Sequence, residues 1–479
     1  MNQNERKTKT EQLLEIIIEA IQYYNNSAEL EEIYEYFKEY YNGFFSQYKE
    51  PKSVIRKIIY MHSSDSDYFR VEPGDAKDIF YSVKGKGEGF WGLRNYSSIE
   101  KVKEENKSKI KSFSYGEIVS HVHKYIRSKG FLYSKAEVTN LFLSIKTKPF
   151  VILSGISGTG KTKIVQWFAE SIGATEKNGQ FTIIPVRPDW NDGSDLLGYV
   201  DIKGDFKEGP LTKVLNAAKS DSNTPYIVLL DEMNLARVEY YFSDILSVME
   251  SRKWENGKIV SSKLLSKDTT DIEDDLTLPN NVYIFGTVNM DETTHPFSKK
   301  VLDRANTIEF NKVDLENLDY LKELKEIDPI EISNTNLKPK YLHLKDVYEK
   351  YPYIVENVTK ELVEINSILE TMYAHVGYRV RDEICFYLAY NEEGKLLTFN
   401  EALDHCILQK ILPRLSGSDI RIDRVLKSLY RLFTNIEYDE QLDNYERDIE
   451  NAKYPQSAKK VLEMIRRLED DGFTSFWIS

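Results

Sequence analysis

The sequence predicts a multidomain α/β protein with a central parallel sheet, a small α+β module before it and an all-α region after it. Its 479 residues are too many for one hydrophobic core. From residue 115 to about residue 335, apolar strand-like runs alternate with helical patterns, which is typical of a parallel sheet covered by helices. Beyond this region helical periodicity dominates. We therefore expect an N-terminal module (1–98), a charged linker (99–114), an α/β domain (115–335) and an all-helical lid subdomain (336–479).

The composition describes an ordinary globular protein, with 41% hydrophobic and 29% charged residues. A net charge of −13 argues against a chain that coats nucleic acid along its whole length, so DNA contact would need a local basic surface. The two cysteines, Cys385 and Cys406, have apolar neighbours and are predicted to be buried thiols in a reducing compartment. Because we find neither a signal-peptide pattern nor an apolar run of about 20 residues, we expect a cytoplasmic protein without a membrane partner.

The N-terminal module combines three helical patterns with a predicted hairpin. The helices are expected at Glu11–Tyr24, at Leu30–Tyr41 and from Pro51 onward. Two strand-like pieces follow, Asp78–Val83 and Gly89–Arg94, joined by a glycine- and lysine-rich turn. Three helices followed by such a hairpin describe a winged helix-turn-helix.

The basic residues of this module are candidates for DNA contact, because cations on the third helix and on the hairpin could lie along phosphates. The candidate DNA-binding residues are Lys52, Arg56, Lys57, Lys84 and Lys86. The alternative is that the module mediates protein contacts, since winged helices do both, and that Trp91 simply belongs to its core.

A glycine-rich loop between a strand and a helix is the most specific motif of the chain. The apolar strand Phe150–Leu153 leads into a segment that fills the pattern GxxxxGK[ST], after which helical spacing resumes. The predicted nucleotide-binding residues are Gly155, Ile156, Ser157, Gly158, Thr159, Gly160, Lys161 and Thr162. Backbone N–H groups of such a P-loop bind phosphate at the positive end of the helix. Lys161 would reach the β- and γ-phosphates, and the Thr162 hydroxyl would ligate Mg²⁺.

Two later strands are predicted to deliver an acidic pair and an amide to the same place. An apolar run about seventy residues after the P-loop ends in Asp231 and Glu232. Asp231 would hold the Mg²⁺ shell and Glu232 would polarise the attacking water. Another apolar run ends in Asn289, which suits a bond to the γ-phosphate or the water. We expect the Asn289 strand to lie between the P-loop strand and the Asp231 strand.

Arg304 follows the Asn289 strand and is predicted at the end of a helix. This position makes it a candidate arginine finger that reaches the nucleotide of a neighbouring subunit.

Two Glu-x-Lys pairs, Glu105 with Lys107 and Glu323 with Lys325, are similar to half of a nuclease site. Both lie in charge-rich helical sequence without a well-placed partner acid, so we predict no nuclease centre in this chain.

Five segments in order carry a family resemblance: LSIKTKPFVILSGISGTGKT, VRPDWNDGSDLLGY, LLDEMNLARVEYYFSDIL, GTVNMDETTHPFSKKVLDRA and GYRVRDEICFYLAYN. From about Tyr115 to the C-terminus the chain resembles AAA+ ATPases. More narrowly it resembles the McrB-type NTPase subunits of prokaryotic modification-dependent restriction systems. The N-terminal module resembles winged helices fused to restriction enzymes, on the segments HSSDSDYF and GKGEGFWGLR.

The resemblance implies a ring, usually a hexamer, with the nucleotide held between subunits and GTP often preferred to ATP. It also implies a separate McrC-like nuclease partner, an N-terminal domain that recognises modified DNA, and a nucleotide-binding role for Arg379 as the lid arginine that senses the γ-phosphate. The sequence departs from the family's MNxxD element, because Asp291 follows Asn289 after one residue and not after two. This departure leaves GTP versus ATP open. The sequence departs again at Leu235, where the family has arginine.

Two functions from different classes follow from these observations. The first is an AAA+ motor subunit that hydrolyses GTP or ATP to drive DNA restriction in prokaryotic defence, by DNA translocation or by activation of a McrC-like nuclease. The alternative is a MoxR-like AAA+ ATPase that remodels protein complexes. A switch that only binds nucleotide is disfavoured by the intact Lys161, Asp231, Glu232 and Arg304.

Overall fold

The computed structural model describes residues 9–24, 27–41, 48–70, 77–85, 88–94, 113–255, 258–266, 275–289, 295–311, 321, 324–439 and 445–477. The chain divides into two compact units, Met1–Ile110 and Lys111–Ser479. Most of the predicted linker, Lys86, Asp291 and the Glu-x-Lys residues Glu105, Lys107 and Glu323 lie outside the described residues. The predicted boundary between the α/β domain and the lid lies within the second unit and stays a prediction.

The described part of the N-terminal unit comprises three helices and a small antiparallel sheet. Its elements are α1 (Lys9–Tyr23), β1 (Ser27–Glu29), α2 (Leu30–Tyr40), α3 (Pro51–Met61), β2 (Phe80–Ser82) and β3 (Phe90–Leu93). Pro51 fixes the first turn of α3, where its missing N–H costs nothing. β3 pairs with both β1 and β2, and Trp91 on β3 lies in the core. The order of these elements agrees with a winged helix, an assignment that stays a prediction.

The second unit contains the parallel sheet and the helices around it. Its strands are β4 (Phe150–Gly155), β5 (Phe181–Pro185), β6 (Gly198–Val200), β7 (Phe206–Glu208), β8 (Tyr226–Asp231), β9 (Lys253–Glu255), β10 (Lys258–Val260), β11 (Lys263–Leu265), β12 (Leu276–Thr277), β13 (Val282–Asn289), β14 (Asn306–Glu309), β15 (Ser416–Gly417) and β16 (Thr474–Ser475). The helices up to β14 are α4 (Tyr115–Ser128), α5 (Lys135–Thr147), α6 (Lys161–Ser171), α7 (Ser194–Leu197), α8 (Pro210–Ser220), α9 (Val238–Tyr241), α10 (Ser243–Glu250) and α11 (Lys299–Leu302). Those after it are α12 (Asn334–Leu337), α13 (Leu344–Tyr348), α14 (Pro352–Leu369), α15 (Tyr378–Gly394), α16 (Phe399–Lys410), α17 (Ile420–Thr434), α18 (Tyr445–Glu450) and α19 (Pro455–Asp471).

The central sheet has five parallel strands in the order β14-β4-β13-β8-β5. The position predicted for the Asn289 strand is therefore confirmed, because β13 lies between β4 and β8. Register aligns Asn289 with Gly155, and Pro185 with Asp231. All five strands run in the same direction, so their carboxyl ends form one edge, where ligands of parallel α/β sheets bind.

Alternating side chains of β4 enter two different cores, because successive residues of a strand point to opposite faces. Val151 and Leu153 join the core beneath α4, α5 and α6, which continues into the C-terminal helices. Phe150 and Ile152 join the core on the other face, together with α8 and α10. A strand buried on both faces explains the uninterrupted apolar run that the sequence shows.

Buried ion pairs hold the C-terminal helices against the sheet. Glu383 of α15 pairs with Lys148, which precedes β4, and with Lys410 of α16 at 2.6 Å. Lys410 also donates to the carbonyl of Ala305 at 2.7 Å. Burial lowers the pKa of Lys148 to about 8, and the nearby Glu383 opposes that shift.

The prediction that both cysteines are buried is confirmed for Cys385 and Cys406. Burial raises the pKa of the Cys385 thiol to about 12. Among the described helices, none has both the length and the apolar character that a membrane crossing requires.

Candidate active site

The carboxyl edge of the sheet brings the P-loop, the acidic pair and Asn289 together. The P-loop follows β4, Asp231 ends β8 and Asn289 ends β13. These three strands are direct neighbours in the sheet. Residues that stand more than a hundred positions apart in the chain therefore form one site.

Three glycines give the loop a backbone conformation that other residues rarely adopt. Gly155, Gly158 and Gly160 have positive φ angles of 151°, 82° and 86°, a region that glycine enters without steric cost. Lys161 begins α6, and its ammonium donates to the carbonyls of Gly155 at 2.9 Å and Ile156 at 2.7 Å. The buried Lys161 charge is thus already fixed against the loop that would hold the phosphates.

Two side chains that sequence reasoning missed support this loop. Asn311, just after β14, accepts a hydrogen bond from Ile156 N at 3.1 Å. Tyr133 donates to the carbonyl of Thr159 at 3.2 Å. Asn311 also donates to Glu309 at 2.7 Å. Since an isolated Asn or Tyr has no recognisable spacing to the P-loop, no sequence signal marked them.

The contacts that hold the P-loop extend through Glu309 to the C-terminal helices. Glu309 pairs with Lys460 of α19 at 2.6 Å, and both side chains are nearly buried. Burial raises the pKa of Glu309, and Lys460 partly opposes this. Lys460, Glu309 and Asn311 therefore connect α19 to the P-loop, so a movement of α19 would shift the hydrogen bond from Asn311 to Ile156.

Asp231 lies at the centre of a hydroxyl-lined oxygen cluster. Its Oδ1 accepts from Thr162 at 2.9 Å and from Thr287 at 2.7 Å. Hydroxyl and carboxylate oxygens suit Mg²⁺, which is held in proteins by one or two such groups together with substrate phosphates. Within the described ranges no group of three or more His, Cys, Asp or Glu residues could hold a metal alone. The Thr162 hydroxyl and the Asp231 carboxylate are oxygen ligands of the kind that Mg²⁺ takes beside substrate phosphates.

Glu232 has a strained backbone and a fixed side chain. Its φ and ψ angles of 54° and 49° are left-handed, which is uncommon for a residue other than glycine. Its backbone N–H donates to Thr287 Oγ1 at 2.9 Å, and its Oε1 accepts from Asn289 Nδ2 at 3.1 Å. These bonds determine the direction of the carboxylate relative to the P-loop.

Thr287 was not recognised from the sequence, although the signal existed. It stands two residues before Asn289 on β13, and residues two apart on a strand share a face. Applying strand alternation backwards from Asn289 would have placed Thr287 beside Asp231 and Glu232.

Arg304 and Arg379 lie together, away from the P-loop. Arg304 follows α11 and Arg379 lies in the first turn of α15. They line a cavity of about 370 Å³ together with Lys148 and Pro149, which precede β4. β4 has six residues, so the P-loop at its other end is about 20 Å away. The lid arginine expected at the γ-phosphate is therefore not brought to the P-loop of its own chain.

Two of the candidate DNA-binding cations are engaged with acids of the same unit. Lys52 pairs with Glu31 at 2.8 Å and Lys84 with Glu29 at 3.2 Å. Exposed pairs of this kind contribute about 0–1 kcal/mol, so a phosphate could displace them. Arg56 donates to the Tyr34 hydroxyl at 3.0 Å, and Lys57 is exposed.

Comparison with known protein families gives two separate matches. Residues 150–305 match the AAA domain of the dynein-related subfamily. Residues 323–473 match a domain of unknown function, DUF8727. The AAA match covers the P-loop, the acidic pair, Asn289 and Arg304, and it implies a nucleoside triphosphatase.

One curated relative is the Type IV methyl-directed restriction enzyme EcoKMcrB subunit of Escherichia coli (strain K12). It is 25% identical over 182 residues, which is 37% of this chain and 38% of the relative, so well under half of the relative is matched. Among solved structures, a full-length MCM homolog from Methanopyrus kandleri covers 70% of this chain and 62% of its own, at 11% identity and a TM-score of 0.31.

Proposed function

We propose that this chain, with its AAA domain, is the nucleotide-hydrolysing motor subunit of a DNA restriction complex and works as a ring. The observation that carries hydrolysis is the convergence of Lys161, Asp231, Glu232 and Asn289 on one sheet edge. The restriction context is supported by the similarity to the EcoKMcrB subunit. The comparisons do not favour the MoxR-like alternative.

The P-loop and its lysine would bind the triphosphate. Loop N–H groups and the Lys161 ammonium would surround the β- and γ-phosphates, and Thr162 and Asp231 would hold Mg²⁺ beside them. Mg²⁺, when bound, neutralises charge on the phosphate oxygens. Nucleotide binding would also break the bonds from Lys161 to the loop carbonyls, because the ammonium would turn toward phosphate.

Glu232 would orient and polarise the water that attacks the γ-phosphorus. The water oxygen forms a bond to phosphorus, the bond to the bridging oxygen of the nucleoside diphosphate breaks, and the carboxylate of Glu232 receives the water proton. Asn289 fixes Glu232 through the 3.1 Å hydrogen bond. The nucleotide hydrolysed is GTP or ATP.

The two arginines would complete the site of another copy. Arg304 and Arg379 are separated from their own P-loop by the length of β4, yet they lie at a cavity open to the surface. Cations on transferring phosphoryl groups stabilise the charge of the transition state. A ring, with six subunits as the family suggests, supplies them to each nucleotide from the neighbouring chain.

The N-terminal module would contact modified DNA, and strand cleavage would belong to a McrC-like nuclease partner. Exposed Lys57 and the displaceable pairs of Lys52 and Lys84 support a weak, salt-sensitive contact with phosphates. Hydrolysis would then drive DNA translocation or activate the partner nuclease.

The first experiment measures inorganic phosphate released from GTP and from ATP by the purified chain with Mg²⁺, with and without methylated DNA. We expect turnover that the Lys161→Ala variant lacks. If no phosphate is released from GTP or from ATP at any protein concentration, the proposed motor function is wrong.

The second experiment tests the restriction context by isolating the protein from its native cells. We expect a nuclease to co-purify, and the pair to cleave methylated DNA in the presence of hydrolysable nucleotide only. Co-purification of an unrelated protein complex, with no nuclease and no cleavage, would favour protein remodelling instead.

A further inference from the structure

Glu250, the last residue of α10, binds both arginines of the proposed subunit interface. Its Oε2 pairs with Arg304 Nη2 at 2.6 Å and its Oε1 with Arg379 Nη1 at 2.5 Å. We infer that Glu250 is a positioning residue that holds Arg304 and Arg379 in one orientation toward the γ-phosphate bound by the neighbouring chain. This inference rests on the proposed ring.

The three residues come from different elements, so their meeting is a product of the fold. Glu250 ends α10, Arg304 follows α11, and Arg379 lies on α15 of the C-terminal helices. Each carboxylate oxygen serves one guanidinium group, and the exposed fractions of the Glu250 and Arg304 side chains are 31% and 16%. Charge-assisted bonds with little access to water are stronger than exposed ones.

Arg304 is held on a second side as well. Its Nη1 donates to the carbonyl of Lys300 at 2.6 Å. With Nη2 on Glu250, the plane of the guanidinium is set by two partners. A cation oriented before the phosphate arrives loses little entropy on binding it, which is how preorganised groups contribute to catalysis.

Glu250 also allows two cations to lie side by side. Two guanidinium groups on one small carboxylate repel each other, and a negative charge between them offsets that repulsion. Without it, Arg379, whose side chain is 46% exposed, would move into solvent. The pair together with Glu250 keeps a net positive charge, so it still attracts the phosphates of a nucleotide.

Neighbouring acids are engaged elsewhere and do not replace Glu250. Glu383 is held by Lys148 and Lys410, and Asp382 by Arg381 at 2.7 Å. A further cation, Arg252, lines the same cavity, and its Nε and Nη2 have no hydrogen-bond partner among the described residues. Removing the charge of Glu250 would thus leave this cavity dominated by cations.

The decisive variant is Glu250→Gln, which keeps the shape of the side chain and removes its charge. We expect kcat for phosphate release to fall about tenfold or more, as when an oriented transition-state donor is lost. The nucleotide Kd at its own P-loop should stay within about twofold, because Glu250 is far from that loop. Glu255→Gln, an exposed glutamate on β9, is the matched control and should retain full activity.

Mixed rings separate a positioning role from a general defect. A Lys161→Ala subunit binds no nucleotide but carries intact Glu250, Arg304 and Arg379. Mixing it with Glu250→Gln subunits should restore hydrolysis, since nucleotide on the latter then faces intact arginines. Mixing Glu250→Gln with Arg304→Ala should restore nothing, because both lack the contribution to the neighbour.

A second variant, Glu250→Asp, keeps the charge on a shorter side chain and should lose less activity than Glu250→Gln. The inference is overturned if Glu250→Gln hydrolyses nucleotide as fast as the unmodified chain or faster, if the Asp variant is as impaired as the Gln variant, or if Arg304→Ala rescues it. Failure of the ring proposal itself looks different: the unmodified chain releases no phosphate, or Arg304→Ala retains the full rate.

Discussion

Asn289 donates a hydrogen bond of 3.1 Å to the carboxylate of Glu232, across 57 residues of sequence. The contact exists because β13 lies next to β8, so that the ends of the two strands meet. Glu232 is also held by its backbone bond to Thr287. These bonds orient the carboxylate, as the proposed water-activating role of Glu232 requires.

Replacing Glu232 by Gln should stop hydrolysis and leave nucleotide binding intact. The glutamine amide has the shape of the carboxylate and can still accept the hydrogen bond from Asn289. It cannot take a proton from water, so kcat should fall about 10²–10⁴-fold. Single-turnover phosphate release and nucleotide retention on a filter measure the two effects. Rapid turnover by Glu232→Gln would remove this residue from the proposed role.

Replacing Asn289 by Ala should lower kcat less than Glu232→Gln does. The carboxylate would stay near its place through the Thr287 bond but would lose its orientation. Steady-state kinetics should show a lower kcat at a nearly unchanged Kd for nucleotide. The control is Asn216→Ala, which removes an exposed amide bonded to Glu208 on the surface; a similar loss in both variants would contradict a specific effect.

The Arg304→Ala variant should bind nucleotide normally and fail to hydrolyse it. Because Arg304 lies about the length of β4 from its own P-loop, its effect is expected only on a neighbouring chain. Mixing Arg304→Ala with Lys161→Ala subunits should recover part of the activity of the unmodified ring. Absence of recovery at all mixing ratios would speak against action across the interface.

Changing Lys57 and Lys84 to Glu should weaken DNA binding by the full chain and reduce its dependence on salt. Each phosphate contact that is lost lowers the slope of log K against log salt by about 0.9. Fluorescence anisotropy with a labelled duplex at several salt concentrations gives this slope. Lys177→Glu, an exposed lysine of the second unit, is the control. An unchanged slope in the double variant would place the DNA contact elsewhere.

His405 should make the second unit less stable as the pH falls from about 6.5 to 4. Burial lowers the pKa of this imidazole to about 4, against about 6.5 in the unfolded chain. The unfolded state therefore binds more protons in this window, and stability is lost with falling pH. Between pH 7 and pH 5 the loss amounts to about 2 kcal/mol.

Denaturant unfolding at the two pH values tests this effect. The His405→Gln variant should lose that part of the pH dependence, whereas His375→Gln, at an exposed position, should keep it. An identical pH dependence in the His405 variant and the unmodified chain would refute the assignment.

The sequence by itself determined the P-loop, the acids at the end of β8 and the order in which Asn289 and Arg304 follow. These features are local, because a glycine pattern, an apolar run or a strand end is defined by neighbours in the chain. Strand alternation also predicts that Thr287 shares a face of β13 with Asn289.

Only the tertiary structure decided which residues support and complete the site. Asn311 and Tyr133 reach the P-loop, and Glu250 joins Arg304 to Arg379, through contacts between elements that are distant in sequence. No periodicity encodes such meetings, since they depend on how the strands order in the sheet and how the C-terminal helices pack on its edge. That packing also places Arg379 with Arg304 rather than at its own P-loop.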